Sequence, residues 1–251
     1  MSYILDTSPT ISLPAQANHP VIKEFLSNYT YGRKWNIIFH TDGNFITLGK
    51  GTKANRVNSE YTINITDEGV FIDGGTYQSL MRGFITFLEK IRYSEKNKSF
   101  YIENECIAKS PLLAFRCVHL CIFPETNLDF FKQCVRSCAI AKFSHIIFEF
   151  WGMLKFDCMS ELSWPFAHSK EEIKKIVHEA NALGLEMIPM FNHLGHASAC
   201  REVNGKHVVL DQKPEYEYMF TSYGWAWNFN NDDVYKLLSK VRDELIDVCG
   251  E

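Results

Sequence analysis

Two histidines, a glutamate and an arginine are the side chains of this chain best placed to do chemistry. His193 and His196 lie just past an apolar run, Leu185 to Phe191, with Gly195 between them to let the backbone turn. An imidazole there can hydrogen-bond a carboxylic acid and tune its proton affinity. On spacing alone, both read first as polar loop residues with no catalytic role. A zinc reading of His-x-x-His lacks an obvious third ligand, so neither a metal nor a cofactor is expected. Glu149 closes a second apolar run, Ser144 to Phe150. A carboxylate there is costly unless it reaches the open end of a sheet. Trp151 follows it, and Trp164, Trp225 and Trp227 fall in loops. Such rings suit the apolar faces of sugars, or they cover the edge of a core. Arg116 lies near the start of a third apolar run, Ala114 to Phe123. A buried cation needs either a structural ion pair or a ligand.

Three buried strands alternating with helices would position these residues. Asn127 can cap a helix running to about Lys142, and Ser169-Lys170-Glu171-Glu172 forms a capping box for a helix ending at Gly184. Asp232 to Val248 reads as a closing helix. This order predicts a parallel sheet with right-handed crossovers, whose functional face lies at the C-terminal strand ends. Cys121 to Thr126, Glu149 to Gly152 and Asn192 to His196 sit there.

The preceding stretch reads as a small α+β domain. Pro9, Pro14 and Pro20 interrupt its first residues. Trp35 to His40 is a short strand. Tyr61 to Ile65 and Val70 to Ile72 form a hairpin turning at Asp67-Glu68-Gly69. Thr76 caps a helix with Tyr77, Leu80, Met81, Phe84, Phe87, Leu88 and Ile91 on one face. Ser99 to Ile107 is expected to be one strand. Lys109-Ser110-Pro111 marks the boundary, giving domains 1–110 and 111–251. A (β/α)8 barrel typically needs ~250 residues by itself. The second domain, at about 140, is therefore a small open sheet or the first part of a barrel.

Composition narrows the function. The 251 residues are 46% hydrophobic and 22% charged, which is ordinary globular composition. The net charge of -4 gives no sign of a nucleic-acid partner. No run approaches the ~18 apolar residues of a membrane span, and no signal peptide is visible. No Cys-x-x-Cys occurs among the eight cysteines. Reduced thiols and a cytoplasmic location are expected.

Ile188-Pro189-Met190-Phe191-Asn192-His193-Leu194-Gly195-His196 resembles the strand-3 motif of glycoside hydrolase family 20, the β-N-acetylhexosaminidases, which runs approximately I-P-E-x-D-x-P-G-H. Phe115-Arg116-Cys117-Val118-His119-Leu120 resembles that family's first barrel strand. The hairpin and the helix carrying Arg82-Gly83-Phe84 resemble the small domain that precedes the barrel. The resemblance implies an N-terminal α/β domain followed by the first three βα units of a (β/α)8 TIM barrel. It implies removal of terminal N-acetylhexosamine by substrate-assisted, retaining hydrolysis.

It also carries roles. Arg116 would bind sugar hydroxyls, and His196 would support the general-acid glutamate. Glu149, Trp151 and His193 are the other candidate substrate contacts. Met190, Asn192, Leu194, Cys117 and Cys121 depart from the family pattern. The Asp-Glu pair that would end a fourth strand is not found in the chain. Asp243-Glu244 falls in a helical pattern and reads as a solvated face. The fragment is thus expected to be inactive alone and to self-associate through an open barrel edge. Two other readings stay open. One is a glycosidase using Glu149 with Glu186 or Glu202. The other is a non-catalytic carbohydrate-binding or scaffolding protein on a partial barrel.

Overall fold

The structure is a computed structural model that describes residues 1–55, 59–150, 152–191, 197, 209–221 and 226–250. Contacts divide the chain into two compact units. The first is Met1–Arg116 with Val135–Ser144 and Glu179–Glu186; the second is Cys117–Cys134, His145–His178 and Met187–Glu251. The first unit therefore runs past the sequence boundary at Pro111 and takes in two later segments.

The first unit begins with β1 (Ser2–Ile4), β2 (Thr10–Pro14), α1 (Pro20–Asn28), β3 (Asn36–His40) and β4 (Phe45–Gly49). It continues with β5 (Tyr61–Thr66), β6 (Gly69–Gly74), α2 (Tyr77–Lys90), β7 (Arg92–Ser94), β8 (Ser99–Glu103) and β9 (Glu105–Lys109). Six strands form one sheet in the order β3-β2-β4-β6-β5-β9, and a small sheet has the order β1-β8-β7. The single strand expected over 99–107 is a correction. It splits at Asn104, whose amide donates to Met1 O while its side chain donates to Asp67. The two halves join different sheets.

Helix α2 supplies the core, with Leu80, Met81, Phe84, Phe87 and Leu88 buried. Gly83 lets it lie close to the sheet. A Cβ there would sit 2.9 Å from Ile72 Cγ2 and 3.1 Å from Tyr61 Cδ2. Thr76 and Ser79 cap its start reciprocally: Thr76 Oγ1 accepts from Ser79 N at 3.1 Å, and Ser79 Oγ accepts from Thr76 N at 2.8 Å. Thr76→Ala should cost about 1 kcal/mol, read as a lower denaturation midpoint with an unchanged slope.

The remaining elements are β10 (Cys117–Cys121), α3 (Leu128–Ile140), β11 (His145–Glu149), α4 (Lys170–Ala182), β12 (Glu186–Met190), α5 (Val209–Gln212) and α6 (Asp232–Cys249). The three strands form one sheet in the order β10-β11-β12, and β10 runs parallel to β11. The expected caps are present: Asn127 Oδ1 accepts from Asp129 N at 2.7 Å, and Ser169 and Glu172 bond reciprocally. Strand β10 was expected to be buried on both faces. It is half-buried instead, because it is an edge strand of this sheet, and Leu112, Leu113 and Phe115 before it are exposed. No described helix is long and apolar enough to cross a membrane.

Candidate functional site

Strand alternation decides which side chains meet at the C-terminal ends of β10 and β11. Ile146 and Phe148 point to one face and are fully buried, with Phe148 stacked on Phe131 of α3 at 4.6 Å. Glu149 therefore points to the other face. Its register partner is Cys121, and His119 lies two residues earlier on the same face. Glu149 Oε2 is 2.8 Å from His119 Nε2, and the Cys121 thiol donates to it at 3.1 Å. The glutamate side chain is 5% exposed, whereas that of His119 is 43% exposed. The carboxylate thus reaches the strand end, as its burial required, and is satisfied there by two neighbours. The register between β10 and β11, which neither strand reveals alone, joins His119 and Cys121 to Glu149. The sequence signal is the i, i+2 spacing of His119 and Cys121.

Arg116 belongs to the first unit. Its Nε donates to Lys142 O at 3.0 Å, and its Nη1 donates to the carbonyls of Leu113 and Ala114. Glu60 Oε1 lies 4.0 Å from its Nη2. Burial and the nearby Arg82 lower the guanidinium pKa, while Glu60 opposes them. Arg116 lines a cavity of about 480 Å³ with Glu60, Arg82, Lys109 and Lys142.

The aromatic candidates part ways. Trp227 is 1% exposed and stacks on Phe220 at 4.5 Å, so it is core. Trp164 stacks on Phe166, whose ring is exposed. His193, His196, Trp151, Trp225 and Glu202 lie outside the described residues.

Glu186 opens β12, where its amide donates to Ser144 O at the start of β11.

The Asp243-Glu244 dipeptide needs a correction. Asp243 is exposed and paired with Arg242, but Glu244 is mostly buried. Its carboxylate accepts from the amides of Asp157 at 2.9 Å and Cys158 at 2.7 Å, and from Lys170 Nζ at 2.8 Å. Burial, then the Glu244 carboxylate, pushes the Cys158 thiol up to about 12; burial does the same for Cys249. The exposed Cys106 should therefore be alkylated at least about tenfold faster than either at mildly alkaline pH, as peptide mass spectrometry would read.

No family model and no curated protein matches the chain. Solved structures do. A Flavobacterium johnsoniae chitobiase of glycoside hydrolase family 20 superposes with a TM-score of 0.70 at 19% identity, over 100% of this chain and 41% of its own. A Vibrio harveyi family-20 exo-β-N-acetylglucosaminidase, bound to N-acetylglucosamine, matches with a TM-score of 0.70 at 15% identity, over 99% of this chain and 43% of its own. Over its length the chain shares its α/β fold with parts of these glycoside hydrolase family 20 structures. A Streptomyces coelicolor β-N-acetylhexosaminidase of that family agrees, with a TM-score of 0.65 at 16% identity, over 98% of this chain and 55% of its own. The chain spans about two-fifths to just over half the length of these family-20 structures.

Proposed function

We propose that this chain supplies the N-terminal α/β domain and the first three βα units of a (β/α)8 barrel in a family-20-type hydrolase. Its substrate is a glycan or glycoside ending in N-acetylhexosamine. The observation that carries this reading is the fold match to family-20 structures over the whole chain.

The reaction proposed is substrate-assisted retaining hydrolysis, outside the two-carboxylate scheme. The acetamido oxygen of the sugar attacks C1 while a glutamate protonates the departing oxygen. Water, activated by the same glutamate, then opens the oxazolinium ion with net retention. A neighbouring aspartate orients the acetamido group. Within this chain, Arg116 would offer guanidinium donors to sugar hydroxyls, and His196 would support the acid. Neither is a group that could protonate the leaving oxygen in the way a carboxylic acid does.

The test uses the protein expressed from its complete coding sequence. An aryl N-acetyl-β-glucosaminide should be hydrolysed, and the matching β-glucoside, which has no acetamido oxygen, should not. Equal rates on the two substrates, or turnover of neither, would overturn the reading.

A further inference from the structure

We propose that His119, Cys121 and Glu149 form a binding site for a thiophilic divalent cation of the Zn2+ class. Among the described residues they are the group of His, Cys and acidic side chains whose ligand atoms cluster closely enough to hold an ion, all within 4.8 Å of one another. They supply one imidazole nitrogen, one sulfur and one carboxylate oxygen.

The spacing fits a small four-coordinate ion. Zinc bonds of about 2.0–2.3 Å at tetrahedral angles place N and S about 3.6 Å apart and put O about 3.3–3.5 Å from each. The observed His119 Nε2 to Cys121 Sγ distance is 3.6 Å. The two distances to Glu149 Oε2, 2.8 and 3.1 Å, are those of hydrogen bonds. They need open by only about 0.4–0.5 Å once the ion replaces the hydrogens between them.

The scaffold is suited to the task. All three ligands stand on two hydrogen-bonded strands rather than on loops, and Cys121 and Glu149 are register partners. The buried carboxylate fixes one side of the site, and the half-exposed His119 leaves an approach for the ion. Charge also balances. A dication with one thiolate, one carboxylate and a neutral imidazole is neutral, and binding releases the thiol proton and any proton on His119 Nε2. Sulfur in the set favours Zn2+ over Mg2+ or Ca2+, which take oxygen ligands. Three protein ligands leave a fourth position for water.

Co2+ is the probe. The chelator-stripped chain should bind one equivalent, with a thiolate-to-cobalt charge-transfer band in the near ultraviolet and the strong visible bands of tetrahedral cobalt. Zn2+ should displace it. Cys121→Ser should abolish the charge-transfer band. His119→Gln and Glu149→Gln should each weaken binding at least about 100-fold, since even an outer partner's loss costs about 10–100-fold. A His193→Ala/His196→Ala double variant should keep the band. Persistence of the band in Cys121→Ser, its loss in the double variant, or only the weak spectrum of octahedral cobalt would each overturn the proposal. Circular dichroism verifies that each variant is folded. Should Glu149→Gln fail to fold, the near-isosteric Cys121→Ser decides alone.

Discussion

Glu244→Ala should destabilise the second unit by about 2–3 kcal/mol. The change removes one of two carboxylate partners of Lys170, which keeps Asp157 Oδ2 at 2.6 Å, and leaves half-buried polar groups without an acceptor. Glu244 and Lys170 have side chains 16% and 15% exposed, so solvent recovers little of the loss. Two backbone amides, of Asp157 and Cys158, lose their acceptor as well. Those amides lie in the segment that leaves β11 after Glu149, so the carboxylate also fixes the loop that follows the candidate site. The pH dependence has a definite sign. Burial raises the Glu244 pKa, but the bonds from Lys170, Asp157 and Cys158 outweigh it and hold the carboxyl below its ordinary range. A depressed folded pKa contributes stability that is present above the unfolded value, about 4.3, and lost as pH falls through the folded value. Burial lowers the Lys170 pKa, but Asp157 and Glu244 outweigh it and raise the group overall. Its contribution is present below about 10.4 and lost as pH rises through the folded value. Denaturant titrations from acid to alkaline pH should show the wild type losing this increment at both ends, while Glu244→Gln lacks most of it throughout. A loss under 1 kcal/mol with parallel pH curves would mean that the cluster is solvent-screened.

Local signals were legible where one short motif controlled the backbone. The Thr76 cap, the Ser169–Glu172 box, the Asn127 cap and the β5–β6 hairpin all formed where turn and cap chemistry placed them. Proline was ambiguous. Pro20 looked like a breaker, yet it opens α1 at its first position, with His19 Nδ1 accepting from Val21 N. The missing proline N–H is one that a helix start leaves unpaired anyway. Pro14 closes β2, whose Ile11 and Leu13 alternate into the core. The split at Asn104 was hidden because periodicity marks a strand but not the sheet it joins. The site followed the same division. The cost of burying Glu149 could be inferred from one strand, but its partners required the register between two. The helical period of α6 placed Asp243-Glu244 on a polar face, but not the segment that covers half of it.

The 251-residue chain should release nitrophenol from aryl N-acetyl-β-glucosaminides no faster than buffer does. Two Asp-Glu dipeptides occur in its sequence. Asp67-Glu68 is exposed in the turn between β5 and β6, away from any parallel strand end. Asp243-Glu244 lies on α6, with Asp243 bound to Arg242 and Glu244 bound to Lys170. Neither pair can orient an acetamido group and protonate a leaving oxygen together. Glu149 is a buried carboxylate at the end of β11, but its neighbours are a histidine and a thiol rather than a second carboxylate. A positioned acid contributes about 10²–10⁴-fold, and an oriented neighbouring group contributes further. The chain should therefore fall at least about 10⁴-fold short of an enzyme that uses both. A rate well above background, inhibited by a thiazoline and abolished by Glu149→Gln, would instead make Glu149 the acid and require a different partner for the acetamido group.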